Sequence, residues 1–292
     1  MNTKTRSRFK AGSWSNVWVD GRQVEIWEVG DPDGKPTVFL HGWGLTPRSY
    51  RRLLHQMGME GRRVVAPSLP GFGNSERLPY GKMSLNSVTA HIAEALVQIG
   101  MDEKSDVVGH SFGGGVALNL GAKHPDLVGT LTLVCPVGGA ATGVVPLYRT
   151  AMGLVHDAAH RWGPLAAREV TSSLLRNPVA VVQAAHAART ADLTNKLARV
   201  SARSDIDVRF LFAEKDTVVS RGNFPELFFD KVTCEIVEGR HSWLLTDTER
   251  FMELFNAGFV EVEDEKVLSE EAAQNSRSGF PATAQILHLP VG

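Results

Sequence analysis

One pentapeptide constrains this chain more than any other segment. Gly109-His110-Ser111-Phe112-Gly113 stands between an apolar run, Asp106-Val107-Val108, and a small-residue stretch from Phe112 to Lys123 that is stopped by Pro125. The first reads as a buried strand and the second as a helix. A turn that thrusts a serine out between strand and helix holds it in a strained backbone and crowds it against its neighbours. Small residues two before and two after are then a steric requirement. A glycine-rich turn with a helix-capping serine would use the same letters. The strand-to-helix context favours Ser111 as a nucleophile.

The rest of the chain supplies a sheet to carry such a turn. Val17 to Trp27 reads as two strands joined at Asp20-Gly21, a hairpin signal. Short apolar runs follow at Thr37–Leu40, Arg63–Ala66, Asp106–Val108 and Leu131–Cys135, separated by helical patterns over 47–57, 84–99 and 112–123. Strands rich in Val, Ile and Leu on both faces predict a mostly parallel central sheet flanked by helices, an α/β architecture. The alternation breaks after Pro136. Residues 140–205 are rich in alanine and leucine, with turn breaks at Gly163-Pro164 and Asn177-Pro178, and read as inserted helices. Strands resume at 208–212 and 232–237, followed by a helix over about 242–257. The expected division is a core in two parts, 1–139 and 206–260, a helical cap or lid at 140–205, and a C-terminal tail at 261–292. That tail is first acidic and then polar, and reads as mobile.

Composition narrows the function classes. A formal net charge of -1 gives no electrostatic reason to expect nucleic acid or an anionic membrane as partner. Both cysteines, Cys135 and Cys234, lie in short apolar runs and read as small buried hydrophobes, with no disulfide framework or cysteine-based zinc site. Met1 to Lys10 is basic but leads into no apolar segment, and no stretch is long enough to span a bilayer. A soluble cytoplasmic protein is expected. No phosphate-binding loop with lysine occurs, and Gly71-x-Gly73 lacks a third glycine, so no nucleotide site is expected. His156 and His160 are four apart on one helix face but have no obvious third ligand, so no metal is expected. No cofactor is called for.

Acyl transfer by a serine needs donors for the oxyanion, usually two backbone amides. Phe112, directly after the nucleophile, supplies one. The loop His41-Gly42-Trp43-Gly44 follows an earlier strand, and its glycines let the chain turn so that the Trp43 amide faces the site. His41 reads as a structural residue of that loop.

With these motifs in place, the chain resembles the α/β-hydrolase superfamily, in its capped serine esterase and lipase branch. The likeness covers roughly residues 14 to 260. It rests on His41-Gly42-Trp43-Gly44-Leu45, Leu69-Pro70-Gly71-Phe72-Gly73-Asn74-Ser75 and Gly109-His110-Ser111-Phe112-Gly113-Gly114. The first two are similar to small-molecule carboxylesterases such as the pimeloyl methyl ester esterases. Ser68 departs from the pattern, since the family usually carries a structural aspartate there. The resemblance implies the order nucleophile, acid, histidine. Asp216, in Phe212-Ala213-Glu214-Lys215-Asp216, lies at the family's acid position, with Glu214 as its near rival. His241, in the loop before the final helix, lies at the position of the base.

The implied activity is hydrolysis of a small or medium carboxylic ester through an acyl-enzyme, with a small acyl compound as substrate. A serine at 111 disfavours haloalkane dehalogenases and epoxide hydrolases, which use aspartate there. Carbon–carbon hydrolases usually show Gly-Pro-Gly where this chain has Trp43-Gly44-Leu45. That class, an amidase or thioesterase, and a weakly catalytic ligand receptor remain as alternatives. His156, His160, Arg161, His186 and Arg189 of the insert read as a solvated face, with a polar substrate group as the alternative. Oligomeric state is left open.

Overall fold

The hairpin forms as its turn chemistry dictates. Strands β1 (Lys10–Val19) and β2 (Arg22–Gly30) are antiparallel and joined through Asp20 and Gly21, both at positive φ (48° and 72°). Such a turn matches the twist of the strands it joins. The computed structural model describes residues 9–139, 163–219, 221–224 and 232–258, all within one compact unit, Met1–Phe259. Residues 140–162, with His156, His160 and Arg161, and the tail 261–292 lie outside the described residues.

Six further strands complete the sheet: β3 (Lys35–Leu40), β4 (Arg62–Pro67), β5 (Ser105–His110), β6 (Val128–Val134), β7 (Asp207–Ala213) and β8 (Thr233–Val237). Their order is β1-β2-β4-β3-β5-β6-β7-β8, parallel from β4 onward, with the antiparallel pairs confined to the β1 edge. The mostly parallel sheet expected from the sequence is therefore present.

Alternation along each strand divides the core into two layers. Val38, Leu40, Val107, Phe210 and Phe212 join one apolar cluster, while Phe39, Val108 and Leu211 join the other. Helices α2 (Leu85–Gln98) and α3 (Phe112–Lys123) cover the first face. Helix α1 (Arg51–Met59), which continues a 3-10 turn at Pro47–Tyr50, covers the second. The described residues between β6 and β7 form helices α4 (Gly163–Arg176), α5 (Pro178–Thr190) and α6 (Thr194–Ser201).

These three helices do not share one role. Leu197 and Val200 of α6 are buried in the cluster that α3 joins, and Val200 approaches Gly121, so α6 flanks the sheet. By contrast, α4 and α5 pack on the loops that follow β3 and β4. The helix expected over 242–257 is two, α7 (Trp243–Thr246) and α8 (Thr248–Asn256). Asp247 leaves helical geometry (φ -128°, ψ 69°), and its carboxylate accepts the Arg250 amide proton at 3.0 Å, capping a new start.

Candidate active site

The site is built at the ends of parallel strands, where loops from several of them converge. Strand β5 ends at His110 and α3 begins at Phe112, so Ser111 alone makes the turn, at φ 54° and ψ -115°. A non-glycine residue in that region carries a strain of about 1–3 kcal/mol, which the surroundings must hold. The Ser111 amide donates to the Val134 carbonyl at 2.9 Å, and the Ser111 carbonyl accepts the Val137 amide proton at 3.0 Å. The glycine requirement is steric. A Cβ at Gly109 would lie 2.5 Å from the Gly113 carbonyl oxygen, and one at Gly113 would lie 2.1 Å from that of Leu40.

Two other loops reach the serine. The amides of Glu214 and Lys215 donate to the carbonyls of Val237 and Gly239, both at 2.9 Å, binding the loop after β7 to the loop after β8. This brings His241 Nε2 to 2.8 Å from Ser111 Oγ and His241 Nδ1 to 2.8 Å from Asp216 Oδ2. The other Asp216 oxygen accepts the amide protons of Val218 and Val219 at 2.8 and 2.9 Å. Burial pushes the Asp216 carboxyl up, but the His241 ring and the two amides outweigh it, and its pKa lies below the ordinary value. An ionised Asp216 accepts from Nδ1–H, which leaves Nε2 free to accept the serine proton. Glu214, the rival acid, is exposed and lies 3.7 Å from Lys215.

The loop after β3 lies against the elbow, because the missing side chain of Gly113 also lets the helix start approach the His41 carbonyl. Phe112 is the first residue of α3, so its amide has no acceptor within the helix. Trp43 is anchored through its ring, whose Nε1 donates to the Val181 carbonyl of α5 at 2.9 Å. His41 is buried; its Nδ1 donates to the Gly42 carbonyl at 2.9 Å and its Nε2 accepts the Leu69 amide proton at 2.8 Å. Burial pushes its pKa down to about 4, so the ring is a neutral brace between two loops.

Several residues of this region carried no sequence signal. Glu25 of β2 accepts both guanidinium nitrogens of Arg48 at 2.8 Å, the Ser68 hydroxyl at 3.0 Å, and the Asn74 amide and side chain at 3.2 and 2.5 Å. Burial raises its pKa, yet Arg48 and these donors bring it below the ordinary range. A carboxylate thus stands beside Ser68, supplied by a neighbouring strand. Glu169 of α4 accepts the Thr46 amide proton at 3.1 Å and the Ser49 hydroxyl at 2.5 Å, while its other oxygen is buried without a partner.

Cys135, expected only to fill space, follows β6 directly; its ligand atom and those of Asp216 and His241 lie within 4.8 Å of one another. Among the described residues this is the group whose spacing could hold a metal ion, but His241 and Asp216 already engage each other. Burial and the adjacent Asp216 carboxylate push the thiol pKa well up, keeping it protonated. A polar groove of 730 Å³, lined by residues such as Arg22, Asn74, Tyr80 and Arg176, does not include Ser111.

A sharp strand-to-helix turn at the end of a mostly parallel sheet flanked by helices is an α/β-hydrolase arrangement. Residues 37–254 match the model of the alpha/beta hydrolase family, and the chain belongs to that family. It is 38% identical over 123 residues to 2-hydroxymuconate semialdehyde hydrolase of Pseudomonas putida, covering 42% of this chain and 43% of that one. It is 28% identical over 126 residues to lipase 3 of Moraxella sp., covering 43% and 39%. The chain therefore spans about two-fifths of the length of these two relatives. An esterase from Exiguobacterium antarcticum shares the fold, with a TM-score of 0.68 and 21% identity over 85% of this chain and 98% of that one. Among the described residues, no helix is long and apolar enough to cross a membrane.

Proposed function

We propose that this hydrolase cleaves a small or medium carboxylic ester through an acyl-enzyme on Ser111. The observation that carries the reading is the unbroken path from Ser111 Oγ through His241 to Asp216, with both contacts at 2.8 Å. His241 Nε2 takes the serine proton as Oγ attacks the substrate carbonyl, and Asp216 stabilises the imidazolium. The Phe112 and Trp43 amides receive the negative charge of the tetrahedral intermediate. The imidazolium returns its proton to the leaving alcohol, giving an acyl-serine. Water, deprotonated by His241, attacks that acyl group, and Ser111 is restored as the acid departs. Helices α4 and α5 are the described part of the cap that overlies this chemistry, within an insert spanning 140–205.

A fluorophosphonate probe and a p-nitrophenyl ester series of increasing acyl length test the reading. Labelling is expected in the natural chain and absent in Ser111→Ala; a labelled Ser111→Ala protein overturns the assignment. The 38% identity to 2-hydroxymuconate semialdehyde hydrolase favours a carbon–carbon hydrolase as second reading. Turnover of a 2-hydroxy-6-oxodienoate well above that of every ester in the series would select it.

A further inference from the structure

The proposed mechanism leaves two fully buried polar side chains beside the site unused, Tyr50 and His110. Each is polar at a depth where an unmatched group is strongly unfavourable, so their hydrogen bonds must be accounted for atom by atom. The Gly42 amide lies 3.1 Å from Tyr50 Oη, Tyr50 Oη lies 2.7 Å from His110 Nδ1, and His110 Nε2 lies 3.0 Å from the His241 carbonyl oxygen. Only one proton arrangement satisfies this chain. An amide can only donate, so Tyr50 Oη accepts from Gly42 and directs its own proton to His110 Nδ1. A carbonyl can only accept, so His110 carries its proton on Nε2 and donates to His241.

The two ends of this chain are informative. One is the amide immediately before Trp43, a proposed oxyanion donor. The other is the backbone of His241, the proposed base. The middle member belongs to the elbow itself, one residue before Ser111. The His110 ring also packs on His241, with ring centroids 5.1 Å apart. Gly42 permits the approach: a Cβ there would lie 3.0 Å from His110 Nδ1 and 3.3 Å from Tyr50 Oη. Burial pushes the His110 pKa down to about 3, so the ring remains in the neutral form that can accept at one nitrogen and donate at the other.

We propose that Tyr50 and His110 are positioning residues whose directional hydrogen bonds fix the base loop and the oxyanion loop against the nucleophile elbow. The proposal rests on the Ser111 reading above. Neither side chain touches substrate; both act by keeping His241 and the Trp43 amide in register with Ser111. Misplacement of reacting groups by a fraction of an ångström lowers the rate without weakening substrate binding.

The test compares Tyr50→Phe, His110→Leu and His110→Gln with the natural chain. The readouts are the fluorophosphonate labelling rate, kcat and KM for p-nitrophenyl acetate per titrated active site, and the downfield proton resonance of the His241–Asp216 hydrogen bond. Tyr50→Phe and His110→Leu are expected to lower labelling rate and kcat by about tenfold, with KM unchanged and the downfield resonance shifted or broadened. Glutamine can accept from Tyr50 and donate to His241, so His110→Gln is expected to keep activity within about threefold of the natural chain. That rescue also keeps the idea testable if the leucine variant does not fold. Natural rates in Tyr50→Phe would overturn the proposal, as would equal losses in the glutamine and leucine variants. A natural chain that the probe does not label brings down the Ser111 reading and this proposal with it. A labelled natural chain with an indifferent Tyr50→Phe removes this proposal alone.

Discussion

Two buried carboxylates share the neighbourhood of Arg48, one from the sheet and one from the inserted helices, and they are held very differently. Glu25 of β2 accepts five hydrogen bonds from Arg48, Ser68 and Asn74, and its pKa is lowered. Glu169 of α4 uses one oxygen twice and leaves the other without a partner, and burial raises its pKa despite the bonds from Ser49 and Thr46. The loops of the core are thus tied by a saturated charge. The insert rests on those loops through an under-satisfied one, whose loss is expected to be less costly.

The largest effect should fall within the core, where both oxygens of Asp216 are engaged, as those of Glu25 are. Asp216→Asn is expected to lower kcat/KM by on the order of 10⁴, because the amide favours the wrong imidazole tautomer. Glu214→Gln, on an exposed side chain two residues away, should change it by less than about twofold. Steady-state kinetics on p-nitrophenyl esters decide this, and a reversed order would move the acid.

Stability separates the two carboxylates around Arg48 more directly. Removing the charge of Glu25 leaves a half-buried guanidinium unpaired, so Glu25→Gln is expected to destabilise the protein by about 3 kcal/mol in urea titrations. Glu169→Gln keeps an oxygen for Thr46 and Ser49 while discarding a buried charge, and should shift stability by less than about 1 kcal/mol in either direction. Equal losses would erase the contrast between core and insert.

The smallest effect is also the most specific, because the two groups respond to pH with opposite sign. The folded pKa of Glu25 lies below the ordinary glutamate value of 4.5. Its contribution is fully present above that value and fades as pH falls through the folded pKa. The folded pKa of Glu169 lies above 4.5, so the penalty for ionising it is absent below 4.5 and complete above the folded pKa. The stability difference between natural chain and Glu25→Gln should therefore widen in favour of the natural chain as pH rises through its window. The difference against Glu169→Gln should move the other way. Urea midpoints measured across the acid range would show two slopes of one sign if the contrast is wrong.

What could be read from the sequence was what local chemistry specifies. Asp20-Gly21 requires its turn and Gly109 and Gly113 frame a crowded serine, while the preference for Asp216 over Glu214 came from the family resemblance. The break at Asp247 was also legible in principle, as a capping residue before Thr248, but the apolar periodicity on both sides masked it. Other features depend on packing between distant segments. The bonds from Arg48 to Glu25 and from Tyr50 to His110 join residues that no pattern links. Leu197 and Val200 give α6 an apolar stripe that would serve equally well in a lid or on the flank of the sheet. Only the neighbouring Gly121 and the β6–β7 surface decide it.

The carboxylate beside Ser68 has a consequence for how this loop can change by mutation. The Ser68 hydroxyl lies 3.0 Å from Glu25 Oε2, so an aspartate at position 68 would bring its own charge into the space that Glu25 now fills. Two acids there would repel, and none would strand Arg48. The pair behaves as a single exchangeable unit with two residences, strand or loop. Ser68→Asp alone should be harmful, Glu25→Gln alone harmful, and the two together close to neutral. A lineage passing between these states must cross one of the two damaged intermediates or change both positions at once.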